Sequence, residues 1–311
     1  MTIIALPFGL LGVVFWLAFG ISPLGNPQER EPAEISIMSW NVYNYLEMDR
    51  MTEDGFRPAY PKPEAEKAAL RAVIQEIDPD LLLLQEIGGA SYLKELQRDL
   101  AREGLEYAHG FIAEGADPVR KLGILSKIEP IEVVEINDLN FHYRGDRELV
   151  RRGLQGALFE HGGGELWVYN LHLKSRFTNF SDDPQSEERR KREAGAIRDF
   201  LITKHGETGG SYLVMGDFND HPASGAVARF LSIGGRELGR LIDAADSRGN
   251  RWTHRYAKHD SYTRVDLAVA SVRFLDLFQA KGSVVDTSEV LEASDHRPLL
   301  LTVSAMAFRN P

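Results

Sequence analysis

Leu81, Leu82, Leu83 and Leu84 follow one another without interruption, between Asp78-Pro79-Asp80 and Gln85-Glu86. A short run apolar at every position fits a central strand covered on both faces, not a strand with one wet face. A chain containing such a strand has to lay helices or a second sheet over both sides of the first. Tyr212 to Met215 repeats the pattern and leads into Gly216-Asp217.

The rest of the chain supplies the cover. Ile35 to Trp40 reads as a further buried strand, and the folded domain is expected over 35–308. A polar loop with Pro58, Pro61 and Pro63 follows. Ala69, Leu70, Val73, Ile74 and Ile77 have helical spacing, so Glu64 to Ile77 is expected to be a helix. A second helix is expected around Tyr92 to Glu103. Strands are expected over Leu122–Ser126, Ile131–Ile136 and Leu154–Phe159. The last should pair with Leu166–Leu171 across Gly162-Gly163-Gly164, a hairpin signal. Gln185 to Lys204 reads as a charged helix with Ala194, Ile197, Phe200 and Leu201 turned inward. Val265–Ala270 and Pro298–Val303 complete the strands. Strands and helices alternate irregularly, with hairpins between them. That predicts mixed sheets covered by helices, not a regular parallel barrel.

No residue from Ile3 to Ile21 is charged, and this length suits a bilayer-spanning helix. Residues 1–24 are therefore expected to be a signal peptide or transmembrane anchor, and 25–34, with Pro27 and Pro32, a linker. The chain would then be exported or membrane-anchored, on the periplasmic or extracellular side. No Lys or Arg precedes the apolar run and no Ala-x-Ala site follows it, so a buried N-terminal helix stands as the alternative.

With no cysteine in the chain, disulfides, thiolate zinc sites and cysteine nucleophiles are excluded. The formal charge of −10 weakens a nucleic-acid reading without excluding it, because a local basic face can serve an acidic protein.

Several polar residues stand where strands end, the place where loops leave a rigid sheet. Glu86 closes the leucine run and reads equally as a metal ligand or a helix-start residue. Asp217 and Asn219, in Gly216-Asp217-Phe218-Asn219, suit an ordinary turn as well as a site. His172 ends Val168-Tyr169-Asn170-Leu171, Asp266 opens an apolar strand, and Ser294-Asp295-His296 precedes the last one. Each alone is weak. Together, the oxygen donors Glu86, Asp217, Asp295, Asn41 and Asn219 suit Mg²⁺, with Mn²⁺ and Ca²⁺ as alternatives. Two histidines suit proton transfer or charge stabilisation near neutral pH. Phosphate ester hydrolysis needs a cation on the phosphate oxygens, a base for water and donors for the developing charge.

In these residues the chain resembles the endonuclease/exonuclease/phosphatase superfamily, the DNase I-like enzymes. The resemblance runs from about Ile35 to the C-terminus. It rests on Ser39-Trp40-Asn41, Leu84-Gln85-Glu86, Gly123-Ile124-Leu125-Ser126, Asn170-Leu171-His172, Gly216-Asp217-Phe218-Asn219, Tyr262-Thr263-Arg264-Val265-Asp266 and Ser294-Asp295-His296, in that order. It implies a four-layer αββα sandwich, an α/β fold of two mixed sheets face to face with helices outside. It also implies roles. Glu86 would be the main Mg²⁺ ligand, with Asn41 and Asp295 completing the site. Asp217 would prepare the attacking water, and Asn219 would hold it or a phosphate oxygen. His296 would act as acid/base or donor, oriented by Asp266, and His172 would donate to a non-bridging oxygen. A histidine at the position of His172 is similar to DNase I-like enzymes and sphingomyelinases, and typical AP endonucleases lack it.

The expected activity is a divalent-metal-dependent phosphodiesterase, foremost a nuclease on DNA or RNA. A sphingomyelinase-like lipid head-group phosphodiesterase or a phosphatase is the alternative. A catalytically silent scaffold is disfavoured, because no residue of the constellation is missing. Membrane contact would come through the N-terminal segment, and no obligate protein partner is implied. Arg152, from the basic group Arg144, Arg147, Arg151 and Arg152, and Tyr262 are the expected substrate-binding residues. His142, Tyr143 and Arg144 are candidates for a substrate rim. Arg189, Arg190, Lys191 and Arg192 read as a solvated helix face offset by Glu187, Glu188 and Glu193.

Overall fold

The leucine run lies in the middle of a sheet, and its four residues are fully buried. The computed structural model describes residues 34–52, 54–207 and 209–306. The expected N-terminal anchor lies outside these residues, as does its linker up to residue 33. Among the described residues, no helix is long and apolar enough to cross a membrane.

In chain order the main strands are β1 (Glu34–Tyr45), β2 (Leu81–Ile87), β3 (His109–Ala113), β4 (Lys121–Ser126), β5 (Glu132–Ile136), β6 (Leu154–His161), β7 (Gly164–His172), β8 (Tyr212–Asp217), β9 (Gly239–Leu241), β10 (Ala244–Ala245), β11 (Asp266–Ser271), β12 (Phe278–Val284) and β13 (Leu299–Ala305). The longer helices are α1 (Glu64–Ile77), α2 (Ala90–Arg102), α3 (Glu187–His205) and α4 (Gly225–Leu231). One sheet has the order β10-β12-β13-β1-β2-β4-β3, the other β9-β11-β8-β7-β6-β5. Most neighbours are antiparallel, but the short β10 runs parallel to β12, and in the middle of the sheets β1 runs parallel to β2 and β7 parallel to β8. The two central pairs matter most for the site. Each of these parallel pairs brings two strand C-termini to the same edge of its sheet.

Alternation along the strands sorts the side chains into layers. Leu81 and Leu83 join Ile35 and Ile37 against Val168, Leu213, Met215 and Ala268 of the other sheet. Leu82 and Leu84 face the opposite way, onto Leu70, Val73 and Ile74 of α1 and Leu93 and Leu96 of α2. The far face of the second sheet, including Tyr169, Leu171 and Val214, packs on Ala194, Ile197 and Leu201 of α3 and Val227 of α4. The result is the four-layer sandwich, helices outside and two mixed sheets within. Burying one such leucine is worth about 1.5–3 kcal/mol, so the run of leucines grips both neighbouring layers.

The expected elements sit where they were read, within a few residues. The hairpin closes on Gly162 and Gly163, at φ +58° and +81°, as a tight turn with two left-handed residues requires. Differences lie in weakly patterned stretches. The proline-rich polar loop contains an exposed ribbon, Met48–Thr52 against Gly55–Tyr60. The edge strand β3 and strand β12 were not read, because their partly exposed residues carry no continuous apolar run.

Gly216 governs the approach of β8 to β7. Its φ is +144°, and a Cβ there would lie 2.0 Å from the carbonyl oxygen of Leu171. Gly216→Ala is therefore expected to push the two strands apart and lower stability by about 2 kcal/mol or more. The urea midpoint measures this, and a midpoint equal to that of the unsubstituted chain would refute the steric argument.

Candidate active site

The parallel pairs β1–β2 and β7–β8 deliver the site. In the second sheet His172 is the ladder partner of Asp217, and Asp217 is the ladder partner of Asp266. Directly paired residues project to the same face, a few ångströms apart. In the first sheet Asn41 lies toward the end of β1, and Glu86 lies at a bulge near the end of β2 with φ +62°. The segment before β13 is tied onto β1. Ser294 Oγ donates to the Asn41 carbonyl at 2.7 Å and accepts the His296 N–H at 3.0 Å. The Trp40 indole donates to the His296 carbonyl at 2.9 Å.

Asp217 is the hub. Its Oδ2 accepts from Asn41 Nδ2 at 3.0 Å and Asn219 Nδ2 at 3.1 Å, and its Oδ1 accepts the Asn219 N–H at 2.7 Å. His172 Nε2 stands 3.5 Å from Oδ2 and His296 Nε2 stands 3.9 Å from it. Burial raises the Asp217 carboxyl to about 6, against the opposing pull of His296 and the amide donors.

His296 shares a 2.8 Å hydrogen bond through Nδ1 with Asp266 Oδ2. Burial disfavours its charge, but Asp266, Asp217 and Asp295 outweigh that and raise it to about 10. It is an imidazolium at neutral pH. His172 is the reverse. Burial, with Arg152, His296, Arg120 and Lys174 around it, holds it well below the usual histidine range. Its buried Nδ1 has no hydrogen-bond partner. One histidine is charged and the other neutral, so they present different chemistry to the same space.

The expected metal ligands are placed less tightly. Glu86 Oε2 accepts the Asn44 N–H at 3.1 Å and lies 3.6 Å from Arg120 Nε, while Oε1 is 4.0 Å from His172 Nε2. Asp295 Oδ2 is 3.7 Å from His254 Nε2, and its Oδ1 is buried without a partner. Asp295, His254 and His296 offer atoms within 4.8 Å of one another, as do Asp217, Asp266 and His296, and Glu86 belongs to neither group. Glu86 and Asp295 still share a neighbour. After burial, their two charges are the largest influences raising the Tyr43 phenol. Asn41 is engaged on both sides, since its Oδ1 also accepts the Tyr43 N–H at 3.1 Å. It holds Asp217, and only a remaining lone pair is left for a cation. The orphaned Asp295 oxygen and the oxygen-only donors fit a hard divalent ion.

Of the expected substrate residues, Arg152 lies beside the site but inside the protein, 6 % exposed, with Nε 3.3 Å from Asp117 Oδ2. Its Nε and Nη1 lack hydrogen-bond partners. Tyr262 is not brought to the site. It alternates with Ser261 and Thr263 on a ribbon, His254–Tyr256 against Ser261–Thr263, and faces away, against Trp252 and Asp260. Tyr143 and Arg144 bind Asp183 and Asp182, respectively, instead of lining a rim. Arg190 is no solvated residue. It is 1 % exposed and pairs with Asp220 at 2.9 Å.

Sequence reasoning missed Tyr43, Arg120, Lys174 and His254. Lys174 carried a signal, two places beyond His172. Tyr43 near the end of β1, His254 on a short ribbon and Arg120 in the loop before β4 carry no motif to mark them.

Residues 38–296 match the Endonuclease/Exonuclease/phosphatase family. An endonuclease/exonuclease/phosphatase from Bacteroides vulgatus is 16 % identical with a TM-score of 0.62, covering 88 % of this chain and 100 % of its own. The human Nocturnin catalytic domain with bound sulfate anion is 18 % identical, TM-score 0.57, with 88 % and 95 % covered. Staphylococcus aureus beta toxin is 16 % identical, TM-score 0.60, with 86 % and 99 % covered. At such identities the likeness is one of fold. No curated protein matches the sequence. Its strand-end residues, its sandwich and the match over 38–296 together make the chain a member of the endonuclease/exonuclease/phosphatase family, whose members are hydrolytic enzymes and generally depend on divalent metals.

Proposed function

We propose that the chain is a Mg²⁺-dependent phosphodiesterase acting on nucleic acid. The observation that carries this is the buried Asp217 carboxylate, held by two asparagines and set beside an imidazolium that Asp266 orients. A proton acceptor and a charged donor 3.9 Å apart are what in-line attack of water on a phosphodiester requires.

Asp217 accepts the proton of the attacking water as the water oxygen bonds to phosphorus. The ester P–O bond opposite breaks, and the departing alkoxide takes a proton from solvent. Asn219, on the same turn, helps hold the attacking water or a phosphate oxygen. His296 donates to the phosphate where negative charge builds, and Asp266 keeps its Nε2 turned to the site. His172, neutral, offers an uncharged donor to a non-bridging oxygen. Glu86 and Asp295, with Asn41 adjoining, would hold the divalent ion, which when bound neutralises phosphate oxygens. The buried Arg152 guanidinium adds positive field on the side of His172.

Turnover of bis(p-nitrophenyl) phosphate by the purified chain is expected with Mg²⁺ and is expected to vanish in excess chelator. Asp217→Ala should lower kcat by about two to four orders of magnitude with the thermal midpoint preserved. Metal-independent turnover, or a folded Asp217→Ala chain with near-normal rates, would overturn the reading.

The pH profile has a stated sign. Below about pH 6 Asp217 carries its proton and cannot accept another, so the rate falls on the acid side. His296 keeps its proton until about pH 10, so the rate holds through neutrality. Asp266→Asn removes the largest influence raising His296, so its proton leaves at lower pH. The alkaline limb of kcat/KM should then move toward neutrality, with a greater loss at pH 9 than at pH 7. An unmoved alkaline limb would remove His296 from the role of charged donor.

A further inference from the structure

Asn219 and His296 line a cleft of about 620 Å³ that the reaction itself does not fill. It is lined by the segment after β7, carrying Arg176 and Phe177, and by the ribbon that carries Tyr256, Ser261 and Thr263. Phe177 is 77 % exposed and Tyr256 46 %. Both rings are largely in solvent although they line one cleft, and Tyr256 leans on the His259 ring at 5.2 Å between centroids, which holds it in place.

The backbone that presents Phe177 is firmly held. Lys174, 9 % exposed, donates through Nζ to the carbonyls of Ser175, at 3.0 Å, and of Phe177. The Lys174 N–H goes to Glu193 at 2.6 Å, and its carbonyl accepts from Arg190 at 3.1 Å. Glu193 and Arg190 are each 1 % exposed. A buried charged scaffold thus fixes a segment whose aromatic ring is left in solvent. Such an arrangement lowers the entropy lost when a ligand packs on the ring.

We propose that Phe177 and Tyr256 form a stacking subsite for an unpaired base beside the scissile phosphate, with Arg176 on the adjoining phosphate, so that this chain selects single-stranded nucleic acid. The proposal rests on the phosphodiesterase reading and names its substrate class. Bases inside a duplex have both faces covered by their neighbours, and only an unpaired base offers a face to a side chain. Aromatic rings also suit a quaternary ammonium head group. Arg176 on the same wall repels such a cation and attracts a second phosphate.

A fluorescein-labelled oligothymidylate, titrated into the chain with divalent metal chelated, reads the subsite without turnover. Phe177→Ala and Tyr256→Ala are each expected to raise its Kd roughly tenfold, and to bring the affinity ratio of single strand to duplex toward unity. A Kd unchanged by both substitutions overturns the proposal. So does tighter binding of duplex, or of sphingomyelin vesicles, by the unsubstituted chain. Hydrolysis of bis(p-nitrophenyl) phosphate separates the two ideas. Its failure strikes the phosphodiesterase reading, whereas a failed titration strikes the stacking subsite alone.

Discussion

The active end of this protein depends on strand register. His172, Asp217 and Asp266 are consecutive partners across three neighbouring strands, and so they face the same way. A slip of one residue in β8 would turn Asp217 away from the site and disturb Leu213 and Met215 in the layer between the sheets. The apolar alternation that packs the core therefore also aims the Asp217 carboxylate. Gly216 permits the close contact that this register demands, because any side chain there would strike the Leu171 carbonyl.

A buried polar clamp relates the two sheets at this end. Gln85 Nε2 donates to Asn170 Oδ1 at 2.7 Å, and Asn170 Nδ2 donates to the Leu84 and Gly123 carbonyls at 3.1 Å each. Polar groups buried between two apolar sheets are costly unless paired, so this network tolerates little sliding of one sheet over the other. Gln85 precedes Glu86, and Asn170 lies two residues before His172. The clamp thus sets the residues of the first sheet against those of the second. Around it, Ser294 and Trp40 tie the last motif to β1, which brings His296 within reach of Asp266.

The electrostatics follow from that assembly. Three carboxylates around one buried imidazole outweigh its burial and keep it charged, while burial, with Arg152, His296, Arg120 and Lys174 nearby, keeps the other imidazole neutral. Neither state belongs to histidine as a residue type. Each is imposed by what the neighbouring strands and loops deliver.

The amino-acid sequence by itself determined the layers and marked out the strand-end polar residues. Continuous apolar runs announce strands covered on both faces, and polar residues that end such runs, as Glu86 and Asp217 do, stand at an edge where function collects. Tertiary structure alone decided which of them meet. Tyr262 was legible as part of a motif, yet its ribbon turns it outward, because facing alternates along a strand and Tyr262 falls on the opposite face from Ser261 and Thr263. Arg190 looked like one more surface charge, but helix packing buries it on Asp220. Arg120, Tyr43 and His254 had no motif around them, since a loop, an irregular strand end and a three-residue ribbon carry no periodicity long enough to read. Whether a histidine is charged, an arginine buried or an aromatic ring exposed over a cleft depends on residues far away in the chain, and only folding brings them close.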